Sequence, residues 1–183
     1  KRRSDVLTVA RFLHKFLENK RDWSVKTIDK ILSGKLNLKR EDGSSIFENK
    51  FVYLLRLKKD AAKLYSLILS SIFHTTSAGS LHLCDIRGSA GELGLKAGES
   101  QCYFGLIYIG DTIAFKKLLE ADDGGIVLEE DAISKSLFEQ INRPDSSIHI
   151  LIGAKKFMEG WSSWRVSNMG LLNIGKQEGS LII

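Results

Sequence analysis

Residues 103–109 read YFGLIYI and run directly into Gly110-Asp111. A short, nearly continuous apolar run that stops at a glycine turn describes a strand covered on both faces, as in a parallel sheet. Working outward, residues 112–119 fit a helix, Asp123-Gly124-Gly125 a turn, residues 148–152 a second buried strand and residues 166–174 a third. Asp131 is placed to cap a helix carrying Ile133, Leu137, Phe138 and Ile141 on one face, closed by Asn142 and Pro144. Upstream, residues 80–86 are short, β-leaning and bounded by glycines, while Gly88, Gly91, Gly94 and Gly98 punctuate turns around another short segment. This is α/β order, with a parallel sheet and flanking helices.

The first third of the chain has a different grammar. Val6, Val9, Ala10, Leu13, Phe16 and Leu17 recur at helical spacing, predicting an amphipathic helix over residues 5–19. Ser24 can cap a second helix with Val25, Ile28, Ile31 and Leu32, ended by Gly34. Residues 35–45 read as a polar loop, and helical spacing returns over residues 46–73 with a break near Lys58-Lys59-Asp60. The expected organisation is a basic helical region over residues 1–75 and a sheet domain over residues 76–183.

The 183 residues are 43% apolar and 27% charged, ordinary values for a globular chain with one sizeable core. No run approaches the roughly 18–20 apolar residues of a membrane span, and no apolar segment follows the basic Lys1-Arg2-Arg3 as a signal peptide requires. Cys84 and Cys102 cannot build a disulfide framework and lack zinc spacing, so two buried reduced thiols in a cytoplasmic protein are expected. Residues 1–63 hold 17 basic and 8 acidic residues, a net of +9, and residues 64–183 hold 10 and 14, a net of −4. That asymmetry suggests a basic surface able to meet phosphate, although Glu18, Asp22 and Asp29 dilute it. The absence of Met at position 1 and the apolar Leu181-Ile182-Ile183 at the other end suggest a piece of a longer polypeptide.

Most familiar chemistries are excluded by the residues themselves. Ser33-Gly34-Lys35-Leu36 and Gly175-Lys176-Gln177 lack the hydroxyl residue that a phosphate-binding GxxxxGK[ST] loop needs. Glu120, Asp122, Asp123, Glu129, Glu130 and Asp131 could in principle gather a hard cation, but their spacing fits no calcium loop and suits helix and turn ends. Pro144-Asp145 and Lys155 imitate a nuclease site whose second acid falls on Gly153. His14, His74, His82 and His149 are far apart in sequence, and no GxSxG elbow exists.

Residues 150–165, ILIGAKKFMEGWSSWR, carry the functional signal. A strand ends in the small-residue turn Gly153-Ala154, and strand carboxyl ends are where ligands bind in open sheets. Lys155 and Lys156 can offer charge to phosphate, Gly160 permits close backbone approach, and Trp161 can stack or fill a core. The segment resembles motif V of superfamily 2 DEAD/DEAH-like helicases, in the form found in the Res subunits of type III restriction enzymes. YFGLIYIGD before it and GKQEGSLII after it extend a weaker resemblance over residues 103–183.

The resemblance implies that residues 76–183 are part of a second RecA-like helicase domain. Glu159, Gly160 and Trp161 match the family's EGW and, with Ser162 in place of its aspartate, would contact the nucleotide. Lys155 and Lys156 would face the nucleic-acid backbone. It implies ATP and magnesium in the intact protein, duplex DNA as partner, and a modification and specificity subunit. Walker A and the acidic box are absent, and motif VI would begin after residue 183. This chain by itself is therefore expected to hydrolyse no ATP and to hold no tightly bound cofactor. The rival reading is a non-catalytic module docking nucleic acid or an acidic protein through Arg2, Arg3, Arg11, Lys20, Arg21, Lys39 and Arg40.

Overall fold

The computed structural model describes residues 2–57, 59–153 and 163–170. The chain is α/β: four helices, α1 (Arg2–Glu18), α2 (Trp23–Leu32), α3 (Val52–Arg56) and α4 (Ala61–Ile72), precede β1 (Leu81–Ile86), β2 (Glu92–Ala97) and β3 (Gly105–Tyr108). Then come α5 (Thr112–Glu120), β4 (Val127–Asp131) and β5 (Ile150–Gly153). The sheet order is β4-β1-β2-β3-β5.

The sheet is mixed, not wholly parallel. β1 pairs parallel with β4 and β3 with β5, but β2 runs antiparallel to both β1 and β3. The reversal has a local cause: β1 and β2 are joined by a short glycine-containing turn, too short for the crossover that parallel neighbours need. β1, β3, β4 and β5 therefore all point the same way.

Strand alternation gives the sheet two covered faces. Leu81, Leu83, Leu93, Leu95, Ala97, Ile107 and Ile109 face α1, α4 and α5 in one core with Leu13, Leu17, Leu69 and Phe115. Ile86, Leu106 and Leu151 face the other way, under Leu137, Ile141 and Ile148. Both helical and sheet portions of the chain thus contribute to the larger core.

That second cover corrects the helix expected after Asp131. Residues 127–131 are strand β4, and the following segment contains only a single 3-10 turn, Phe138–Gln140. It is held down by Glu92, 1% exposed, whose carboxyl group accepts from Ser89 Oγ at 2.7 Å, Ser136 Oγ at 2.6 Å, Leu137 N at 2.8 Å and Phe138 N at 3.3 Å. Four donors on one buried group satisfy its accepting capacity. Gly94 is likewise not a turn residue but lies inside β2, where an added Cβ would meet the Tyr103 ring at 2.4 Å.

The ends of α1 explain why the helical region docks. Tyr65 Oη donates to Phe16 O and Leu17 O at 3.1 and 3.0 Å, and Ser24 Oγ to Phe16 O at 2.7 Å. Ser24 is therefore inside α2, and Asn19 Oδ1 takes the capping role by accepting from Ser24 N and Val25 N. Buried His14 accepts from Leu81 N through Nδ1 at 3.1 Å, tying α1 to the start of β1. Its Nε2, which then carries the proton, sits 3.2 Å from Glu18 Oε2 without the alignment of a hydrogen bond. Arg3 pairs with Asp111 at 2.7 Å, and the Arg11 fork with Asp122. The opposite charges of the two ends of the chain thus meet partly across the α1–α5 contact.

Of the remaining expectations, the loop over residues 35–45 and the break between α3 and α4 are observed. Residues 166–170 are irregular and not strand, and 171–174 lie outside the described residues. Cys84 is buried and Cys102 half-buried, both unpaired.

Two predictions follow from these contacts. Glu92→Gln places an amide NH2 against donors and should lower stability by about 2 kcal/mol, read as a lower urea midpoint at unchanged slope; a midpoint like that of the parent would refute the clamp. Burial, the largest influence on His14, holds it below the ordinary 6.5 against the raising pull of Glu18. A histidine depressed in the folded state favours folding above its unfolded value, so melting temperature should fall as pH drops below about 6.5. His14→Asn, which keeps an acceptor without the titration, should flatten that fall.

Candidate functional site

Because four strands share a direction, their carboxyl ends gather on one edge of the sheet. Ile86 leads to Arg87-Gly88-Ser89, Tyr108 to Ile109-Gly110-Asp111, Asp131 to Ala132-Ile133-Ser134, and Gly153 to Ala154-Lys155-Lys156 in sequence. Tyr108 and Gly153 are register partners, so the turn Gly110-Asp111 and the end of β5 are neighbours. Asp111 starts α5, accepting from Ala114 N at 3.0 Å through Oδ1, while Oδ2 takes Arg3.

At the other end of this edge, Asp131 is densely bonded. Oδ2 accepts from Tyr103 Oη at 2.5 Å and Ser134 Oγ at 2.6 Å, and Oδ1 from Ile133 N and Ser134 N at 2.9 and 2.8 Å. The Ser134 hydroxyl and then Tyr103 hold its carboxyl well below the usual carboxylate range. Burial, followed by the bond to Asp131, pushes the Tyr103 phenol up. Beside it, Glu129 lies 2.5 Å from His82 Nδ1, accepts from Cys84 Sγ at 3.3 Å and meets Lys96 Nζ at 3.4 Å. Burial, then Glu129, raises the Cys84 thiol to about 11, so it stays a thiol and not a nucleophile.

The acids that could have gathered a cation are dispersed among other partners. Asp122 takes Arg11, Glu129 takes His82 and Lys96, Glu130 takes Arg87, and Asp131 takes Tyr103 and Ser134. Among the described residues, no three His, Cys, Asp or Glu side chains are grouped as metal ligands.

Lys155, Lys156, Glu159, Gly160, Trp161 and Ser162 all lie outside the described residues. Both flanks are placed. Gly153 ends β5, and Arg165 donates to Ile141 O, to Ser146 O at 3.1 Å and to Ile148 O at 3.4 Å. The second anchor had no sequence signal beyond a lone arginine. Tyr103 did have one, since Glu92, Gly94 and Lys96 alternate with Leu93, Leu95 and Ala97 and mark a small, polar strip where a ring can lie. His74 and His149, distant in sequence, meet with ring centroids 5.0 Å apart and planes tilted by 38°, and His74 Nε2 is 2.8 Å from Ser147 O.

Compared with known proteins, the chain matches no family model, no curated protein and no solved structure. Among the described residues, no helix is long and apolar enough to cross a membrane.

Tyr103→Phe tests the Asp131 assembly. Losing one hydrogen bond to a charged acceptor should cost about 1.5–3 kcal/mol at neutral pH. A depressed aspartate favours folding above its unfolded value of 3.8, and that contribution is lost as pH falls below it. The gap between Tyr103→Phe and the parent should therefore narrow under acid; a gap independent of pH would show that the bond does not depend on the carboxylate.

Proposed function

We propose that this chain is part of an ATP-dependent DNA helicase or translocase subunit similar to type III restriction Res proteins, with its sheet belonging to a second RecA-like domain. The single observation that carries the reading is the parallel pairing of β3 and β5, with Tyr108 opposite Gly153. Ala154-Lys155-Lys156 and the Glu159-Gly160-Trp161-Ser162 stretch are bonded in sequence to that strand end. It adjoins the Gly110-Asp111 turn on the edge where open α/β sheets bind ligands. In this reading the lysines meet the phosphate backbone, Glu159 through Ser162 contact nucleotide, and ATP with magnesium is completed by residues of another domain. Arg3 and Arg11 of the rival basic surface are already engaged with Asp111 and Asp122, which weighs against that surface as the principal DNA contact.

Fluorescence anisotropy with a labelled DNA duplex tests the assignment. Lys155→Ala and Lys156→Ala should each weaken binding across sequences and lower the salt slope by about one. If both variants bind as the parent does while Lys39→Ala and Arg40→Ala lose affinity, the basic module replaces the helicase reading. The chain alone should turn over no ATP; turnover abolished by Glu159→Ala would overturn its assignment as an incomplete motor half.

A further inference from the structure

Two side chains from distant parts of the chain reach one short stretch, residues 146–149, at the entry to β5. Arg165 donates to Ser146 O at 3.1 Å and to Ile148 O at 3.4 Å, and His74 Nε2 meets Ser147 O between them at 2.8 Å. A carbonyl oxygen only accepts, so His74 carries its proton on Nε2 and takes up a second on Nδ1. The ring of His149, which ends the stretch, lies 5.0 Å from that of His74. The stretch itself is fixed to the sheet, since Ser147 Oγ donates to Tyr103 O and His149 N to Phe104 O, both at 2.7 Å. His74 follows Phe73, the C-cap of α4, with φ +53°, a position that helices commonly give to glycine. An imidazole there ties the end of the helical region to the strand.

His74, His149 and Arg165 are thus one cation and two groups that become cations, and among the described residues none of the three forms an ion pair with an acid. The other histidines differ, His14 lying beside Glu18 and His82 beside Glu129. Asp145, just before the stretch, is taken by Arg143 at 3.1 Å. Glu99, exposed between β2 and β3, lines a hollow with His74, Ser70, Thr75 and Ser100. The charges acting on His149 are those of His74 and Arg165, and partial burial, then these two, holds it below the ordinary 6.5.

We propose that His74 and His149 form a proton-operated latch joining the end of α4 to the entry of β5. Neutral rings lie together and leave the Arg165 guanidinium on the neighbouring carbonyls. Once both rings are protonated, three like charges share the site with no paired carboxylate to offset them, and the α4 end and Arg165 part from the stretch. A histidine held below its ordinary value favours the closed form above about 6.5 and loses that preference as pH falls. The latch is closed at neutral pH and opens under mild acid, whatever ligand the chain binds.

NMR on the whole isotope-labelled chain, from about pH 8 to 5, reads both parts of the latch. The Cε1–Hε1 signal of His149 should titrate below 6.5, and the Arg165 Nε–Hε signal should move to the free-arginine position with the same midpoint. His74→Asn tolerates the left-handed backbone and does not titrate. In it the His149 midpoint should rise and Arg165 should keep its place to lower pH. His149→Gln, at an exposed position, should hold the Arg165 signal constant throughout, and it carries the test should His74→Asn fail to fold. An Arg165 signal that never moves, that moves with another midpoint, or that moves unchanged in the variants would overturn the latch. So would a transition of the whole spectrum removed by His14→Asn, which would belong to the α1–β1 contact instead.

Discussion

A sheet with two apolar faces needs two covers, and here the second cover has almost no regular structure of its own. Helices α1, α4 and α5 shield one face by ordinary amphipathic packing. The other face is closed by an irregular segment whose Ser136 hydroxyl and Leu137 and Phe138 amides converge, with Ser89 of the β1–β2 turn, on the buried Glu92 carboxyl group. A buried acid is costly when unpaired. Bonded to four donors, it instead fixes where the segment must lie, and so brings Leu137 and Ile141 over Ile86 and Leu106. The placement of Asp131, of Ser134 and of the chain leading into β5 all depends on that anchorage.

The same face shows how a sheet can carry polar groups without becoming a reactive site. Glu129 and Asp131 project from an outer strand toward His82, Cys84, Lys96 and Tyr103, and each carboxylate is matched to donors. The result is a polar row with its acids ionised and its thiol protonated. Such matching stabilises and orients the side chains of this row.

Charge in this chain is spent in two ways. Arg3 and Arg11 pair with Asp111 and Asp122 beside α5 and help seat α1 on the sheet, and solvent screening limits what each exposed guanidinium contributes. Among the described residues Lys35, Lys39, Lys50, Arg56 and Lys59 form no ion pair, and neither do Glu120 and Asp123. A net charge difference read along the chain therefore mixes an internal docking contact with exposed charge of both signs.

Periodicity specified α1, α2, α4 and α5, and the apolar runs specified β3 and β5, because burial of a helix stripe or a covered strand follows a fixed pattern, while β1 was marked only as a short β-leaning segment between glycines. β4 was not marked at all. Val127-Leu128-Glu129-Glu130-Asp131 has too few apolar residues to announce a strand, and it becomes one only because β1 offers parallel hydrogen bonds while His82, Cys84, Lys96 and Tyr103 satisfy its acids. Nor could the sequence reveal that Arg165 reaches back to Ile141, Ser146 and Ile148, or that His74 meets His149. Those depend on which distant groups the tertiary structure brings within a few ångströms, and short-range pattern carries no record of such partners.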